Sequence, residues 1–169
     1  MRTIFNFLGP LTNPAGAERQ LLGVSDRHYQ ETMAEALIGL GSVRALVVSA
    51  EDGLDELSLS SRTRVIEVAD GRTSEWFVEP GQFGLAPAGL EEVAGGTPAE
   101  NAAVSQAVLA GDAGPRRDLV LLNAAAAIYV GGLAADLEEG VSKAAAAIDS
   151  GAAADVLARL IAATVSPAV

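Results

Sequence analysis

Met33, Leu37 and Leu40 recur at the spacing of one helix face, behind Ser25 and Asp26, whose side chains can accept hydrogen bonds from the free amides of a helix start. The pattern predicts a helix running to Leu40 and closed by Gly39 and Gly41. The periodicity then changes. Arg44-Ala-Leu-Val-Val-Ser49 is a short, nearly continuous apolar run bounded by turn residues, which predicts a strand covered on both faces in an α/β sheet. Thr63 to Ala69 and Thr73 to Val78 are β-branched or aromatic runs flanking Asp70-Gly71, and they predict an antiparallel hairpin towards the sheet margin.

From Glu79-Pro80-Gly81 to Gly96 the chain is rich in Gly and Pro and reads as a surface connection, with Phe83 and Leu85 tucked back onto the core. Beyond it the pattern is helical. Thr97-Pro98-Ala99-Glu100 supplies an N-cap, a Pro at the first helical position and a Glu that can answer the cap, so a helix is expected to about Ala110. Further helices are expected from about Arg116 to Tyr129, Asp136 to Asp149 and Ala153 to Ala163. The alanine tracts at 124–127 and 144–147 read as close-packed helical layers, and no internal repeat is evident. The 169 residues suit a single domain, 1–169.

Charge narrows the functional classes. Acidic residues outnumber basic ones by 22 to 11, a formal charge of −11, and such a field repels nucleic-acid backbones and anionic membrane surfaces. The chain lacks cysteine, so disulfides, thiolate ligands and a cysteine nucleophile are excluded and a cytoplasmic setting is expected. The first sixteen residues have no long apolar region of the signal-peptide kind. The longest uncharged run, Leu119 to Ala135, is too short for a membrane span and is interrupted by Asn123 and Gly131-Gly132.

Candidate chemistry concentrates after the first predicted strand. Glu51-Asp52-Gly53-Leu54-Asp55-Glu56 is the most carboxylate-dense turn, at a strand end of the kind that faces a ligand crevice in open α/β sheets. Gly53 lets the backbone turn so that Asp55 and Glu56 can converge on one or two magnesium ions, which prefer oxygen ligands. From spacing alone a solvated acidic turn is the commoner occupant of such a pattern. Gly39-Leu40-Gly41 is no dinucleotide motif, because it ends a helix and leads into a strand. The sole histidine, His28, excludes paired-His zinc sites and reads as an exposed first-turn residue. Arg116 and Arg117 open a helix, where cations oppose the dipole, and are expected to point into solvent. Trp76 and Tyr129 read as core or interface aromatics.

Arg2-Thr-Ile-Phe-Asn-Phe-Leu-Gly-Pro-Leu-Thr-Asn-Pro14 closely resembles the signature of anthranilate phosphoribosyltransferases, and Glu51-Asp-Gly-Leu-Asp-Glu56 resembles their magnesium loop. Gln20-Leu-Leu-Gly-Val24, Phe83-Gly84-Leu85, Gly95-Gly96 with Asn101-Ala102, and Leu122-Asn123-Ala124 through Gly131 continue the pattern in order to about Thr164. The resemblance implies a nucleoside phosphorylase and phosphoribosyltransferase type of catalytic domain: a central mixed, mainly parallel sheet with an antiparallel hairpin, flanked by helices. It implies transfer of a phosphoribosyl group from phosphoribosyl pyrophosphate to anthranilate, in tryptophan biosynthesis, with Mg2+ as cofactor.

Carried over by position, Asp55 and Glu56 match the paired magnesium ligands, Gly9 matches a backbone position lining the anthranilate channel, and Asn6 and Pro10 flank that wall. Ser49 stands where the family often has His. The family's glycine-rich phosphate loop, its Lys-His-Gly-Asn segment, the Arg that meets the anthranilate carboxylate and the amino-terminal helical domain used for homodimers all precede the first residue here. The resemblance therefore implies the carboxy-terminal half of such an enzyme, a partial catalytic domain inactive by itself. A pyrimidine-nucleoside phosphorylase and a non-catalytic nucleic-acid-binding relative of the same fold are the competing readings. The Asn6-to-Pro14 and Asp52-to-Glu56 signatures weigh against the first and the acidic charge against the second.

Overall fold

The computed structural model describes residues 5–165, with side chains from Leu8 onward. Its centre is a four-stranded sheet in the order β1-β2-β3-β4, formed by Arg19–Gly23, Arg44–Ala50, Thr63–Ala69 and Arg72–Val78. A helix α1 (Phe5–Leu11) precedes the sheet and α2 (Gln30–Gly39) joins β1 to β2, while α3 (Leu90–Val93), α4 (Pro98–Leu109), α5 (Pro115–Val130), α6 (Leu137–Asp149) and α7 (Ala152–Val165) follow it.

The connections decide the strand directions. A parallel return needs a long crossover, usually helical, and α2 supplies one, so β1 and β2 run parallel. No helix lies between β2 and β3, and the chain folds straight back into antiparallel pairing. β3 and β4 form the expected hairpin, turning at Asp70 and Gly71, which both have positive φ, 51° and 70°, as a tight two-residue turn requires. The mixed sheet between helices is as expected. Its parallel share is smaller than the expected mainly parallel sheet, however, with one parallel and two antiparallel pairings among the described strands.

Alternation along β2 divides the core. Ala45 and Val47 join Leu22, Met33, Leu37, Ile66 and Val68 in a cluster beneath α2. Leu46 and Val48 join Leu57, Val65, Leu121, Leu122, Val130, Leu137 and Ile148 in a larger cluster beneath α5 and α6. All four β2 residues are essentially fully buried, so the strand is covered on both faces as its apolar run predicts. Phe83 and Leu85 pack back onto the larger cluster from the Gly/Pro-rich connection.

Local signals set most helix ends. Thr97 Oγ1 accepts from Glu100 N at 3.4 Å, and the Glu100 carboxylate accepts from Thr97 N at 2.8 Å. Asp26 does cap the start expected of it, though its first turn, Arg27–Tyr29, is a 3-10 turn that runs into α2. Leu40 departs from the reading as a core residue. It caps α2 beyond the last helical turn and is 62 % exposed, while Gly41 N and Ser42 N close the helix on the carbonyls of Ile38 and Leu37. β1 was not expected from the sequence as a strand.

Candidate metal-binding loop

The loop from β2 to β3 is held by its own backbone first. Gly53 N donates to Ala50 O at 3.1 Å, Ala50 N to Leu54 O at 3.1 Å, and Glu51 N to Arg62 O at 2.9 Å. Gly53, at φ 91°, occupies the left-handed conformation that such a reversal needs.

Its four acidic residues divide into two kinds. Glu51 is neutralised at the surface by Arg62, 2.8 Å away. Asp52 is used inside the loop: one carboxylate oxygen accepts from Leu54 N at 2.9 Å, and the other from Ser58 Oγ at 2.6 Å and from Ser60 Oγ. Partial burial raises the pKa of Asp52, yet the hydroxyls of Ser58 and Ser60 and the Leu54 amide together hold it below the ordinary carboxylate value. Thr63 Oγ1 completes the frame by accepting from Ser58 N at 3.0 Å.

Asp55 and Glu56 are the remainder. Both are exposed, and among the described residues neither carboxylate has a hydrogen-bond or ion-pair partner. Glu56 is open to solvent as a residue, but nearby protein strips part of the hydration of its carboxyl. That loss, followed by the charge of Asp55, pushes its pKa above the ordinary value. Two like charges kept adjacent and unpaired fit a hard divalent cation. Among the described residues no group of three or more His, Cys, Asp or Glu is arranged to hold a metal, so the loop offers two carboxylates, the number with which Mg2+ is commonly bound when phosphates and water complete its shell.

Two other elements fix this pair. At the end of β1, Gly23 lies so close to the loop that an added Cβ would stand 1.6 Å from Asp55 O. On α5, Asn123 takes both backbone groups of Leu57: Leu57 N donates to Asn123 Oδ1 at 2.9 Å, and Asn123 Nδ2 donates to Leu57 O at 3.0 Å. Sequence reading had no means of assigning the Asn123 role, since 66 residues separate the partners.

The remaining candidates fall elsewhere. Asn6, Gly9 and Pro10 lie on α1, which packs against α2; the Asn6 side chain and residues 2–4 of the signature are outside the described residues. Gly9 is exposed and would accept a Cβ without contact. Ser49 is buried within β2, at 2 % exposure. His28 is exposed and rests against Asp26 at 3.2 Å. Arg117 corrects the expectation of a solvent-pointing pair: its guanidinium is largely buried and bonds Asp149 on α6 at 2.8 Å, because the packing of α6 on α5 brings a carboxylate over it. Trp76 and Tyr129 are neither solvent-facing nor free. Both donate to the buried carboxylate of Glu67, at 3.2 and 2.9 Å, and Arg44 pairs with the same carboxylate at 2.8 Å while lying 4.1 Å from the Tyr129 ring centre.

Residues 1–154 match the family described as glycosyl transferase family, a/b domain. The anthranilate phosphoribosyltransferase of Clostridium kluyveri is 50% identical over 153 residues, covering 90% of this chain and 46% of that protein. That of Haloarcula marismortui is 51% identical over 162 residues, covering 95% and 49%. Among solved structures, an anthranilate phosphoribosyltransferase variant from Saccharomyces cerevisiae with Mg bound superposes with a TM-score of 0.81 at 30% identity, over 89% of this chain and 44% of the other. The yeast enzyme in complex with PRPP and Mg gives 0.80 at 31% identity. The chain spans about half the length of the relatives it matches.

Proposed function

Because the chain belongs to the glycosyl transferase family, a/b domain, we propose that it carries the magnesium-binding part of an anthranilate phosphoribosyltransferase. The reaction transfers the phosphoribosyl group of phosphoribosyl pyrophosphate to anthranilate, giving N-(5-phosphoribosyl)anthranilate and pyrophosphate, in a cytoplasmic setting. The identities near one half to the relatives of that name support the substrate pair. Among the described residues no helix is long and apolar enough to cross a membrane.

One observation carries the assignment of roles. In a loop whose other acids are consumed by Arg62 and by serine hydroxyls, Asp55 and Glu56 are left free and side by side. Mg2+ held there would offset the charge that builds on the departing pyrophosphate. The protein's own work is to hold the two carboxylates side by side and fixed in place before substrate arrives, so that no loop ordering is needed during the reaction. Gly9, with Asn6 and Pro10 beside it, would border the anthranilate channel once the remainder of the crevice is assembled around α1.

The test follows fluorescence loss of anthranilate with saturating phosphoribosyl pyrophosphate and Mg2+. The isolated chain is expected to be inactive, and turnover is expected when the part of such a relative that this chain does not match is supplied. In the active assembly, Asp55→Asn with Glu56→Gln should depress turnover by more than tenfold, about 1.4 kcal/mol of transition-state stabilisation. Turnover that is unchanged across a magnesium titration would overturn the metal assignment. Robust turnover by the isolated chain would overturn the need for a second part.

A further inference from the structure

Asp55 and Glu56 sit between two clamps from different elements. On one side the Asp55 carbonyl is seated against the bare Cα of Gly23, where even a methyl group would overlap it. On the other, the carboxamide of Asn123 engages the N–H and C=O of Leu57, the residue directly after Glu56, in a two-point contact. Asn123 is itself fixed, because Nδ2 also donates to Leu119 O at 3.1 Å, one turn back on α5. Leu57 is completely buried in the larger core cluster, so water cannot replace the carboxamide. α5 in turn is locked to the sheet and to α6 by Leu121, Leu122, Ala125 and Ala126.

We infer that Asn123 is a positioning residue for the Asp55–Glu56 carboxylate pair, acting with Gly23 to set where the two oxygen donors stand relative to the sheet. The inference rests on the metal-binding reading of that pair. A loop anchored only by its own turn would let the two charges move apart and relax their repulsion, whereas a loop pinned at Leu57 holds the backbone that carries them in place. Asn is the residue type that does this most directly, since one short side chain presents an acceptor to the N–H and a donor to the C=O of a single residue.

The test uses the full 169-residue chain, labelled for NMR, with Mn2+ as a paramagnetic probe. The reading is the Mn2+ concentration that halves the amide signals of Asp55 and Glu56, divided by the concentration that halves those of Glu138 and Glu139, exposed acids at the start of α6 that report non-specific attraction to an acidic surface. Asn123→Ala should raise this ratio at least fivefold. Ile148→Ala, which removes a buried side chain of the same core cluster but no hydrogen bond to the loop, should lower thermal stability and leave the ratio unchanged. Asn123→Gln keeps both hydrogen-bonding groups on a stem one methylene longer and should give an intermediate ratio; where Asn123→Ala does not fold, the comparison is read from this variant. A wild-type ratio in whichever Asn123 variant is read, beside loss of selective broadening in Asp55→Asn with Glu56→Gln, overturns the positioning role alone. No selective broadening in the wild type overturns the metal reading and the positioning role together.

Discussion

The Cα of Gly23 and the carbonyl oxygen of Asp55 are in such close contact that a Cβ built on Gly23 would lie 1.6 Å from that oxygen and 2.6 Å from the carbonyl carbon. Gly23 has no positive φ, so the requirement for glycine is steric and not conformational. Gly23→Ala should therefore push the acidic loop off β1, because the obstructing atoms are backbone and cannot rotate away. The expected loss of stability is about 1–3 kcal/mol, in the range for overpacking. Urea unfolding measures it, and amide shift changes concentrated in residues 51–58 should accompany it. Shifts spread evenly over the sheet, or none, would contradict the contact.

Asp52 should make the stability of the chain depend on pH in the acid range. Burial opposes ionisation, but the hydroxyls of Ser58 and Ser60 and the amide of Leu54 hold its pKa below the ordinary 3.8. A depressed carboxylate pKa contributes stability that is present above the unfolded value and is lost as pH falls through the lower folded value. The contribution should thus be complete above about pH 5 and fade below pH 4. Ser60→Ala should move the Asp52 carboxyl titration upward, as read from its carboxyl carbon by NMR. Asp52→Asn should flatten the acid limb of the stability profile.

Residues near in sequence announced themselves, and residues brought together by folding did not. The Asp70-Gly71 turn, the Thr97 to Glu100 cap and the apolar run of β2 were legible because each is a local pattern whose partners lie within a few positions. β1 was not, since Arg19–Gly23 is five residues long with two adjacent leucines and no alternation, and it becomes a strand by pairing with β2. In the acidic loop the sequence could mark Asp55 and Glu56 as a pair by resemblance. It could not show what occupies Glu51 and Asp52, because that is decided by Arg62, Ser58 and Ser60 folding back across the turn. Arg117 likewise read as a solvent charge until Asp149, 32 positions away, was placed beside it.

The helical layer contains a second close approach with a testable sign. An added Cβ on Gly140 of α6 would meet Ala125 O at 2.7 Å and the Cα and Cβ of Ala125 at 3.0 Å, so the two helices touch backbone to backbone. Helix propensity alone favours alanine over glycine by about 1 kcal/mol in a helix interior. The steric effect should win, because separating α5 from α6 would loosen the packing of Leu121, Leu122 and Ile148 as well. Gly140→Ala should destabilise the chain by about 1–2 kcal/mol net. A rise in melting temperature would show that the helices part at no cost.

The acidic pair should be a site where stability is given up for metal affinity, and Glu56→Gln separates the two. The carboxyl of Glu56 has a pKa above its ordinary 4.5, first through lost hydration and then through the charge of Asp55. The folded chain therefore holds this proton more tightly than the unfolded chain does, and the sign of the linkage follows: stability is higher at low pH and falls as pH rises from about 4.5 through the folded value. Above that window the ionised Glu56 is a net burden on the fold unless a cation neutralises it. Glu56→Gln should accordingly melt at a higher temperature than the wild type at pH 7 without divalent ions, and the difference should close near pH 4. Adding Mg2+ with pyrophosphate should raise the wild-type Tm, since a ligand that binds the folded state adds stability by mass action, and should leave the variant unmoved. Differential scanning fluorimetry at the two pH values, with and without the ligand, measures both halves. A wild type more stable than Glu56→Gln at pH 7 in metal-free buffer would mean that Glu56 has a favourable partner in the fold and is not held in reserve for a cation.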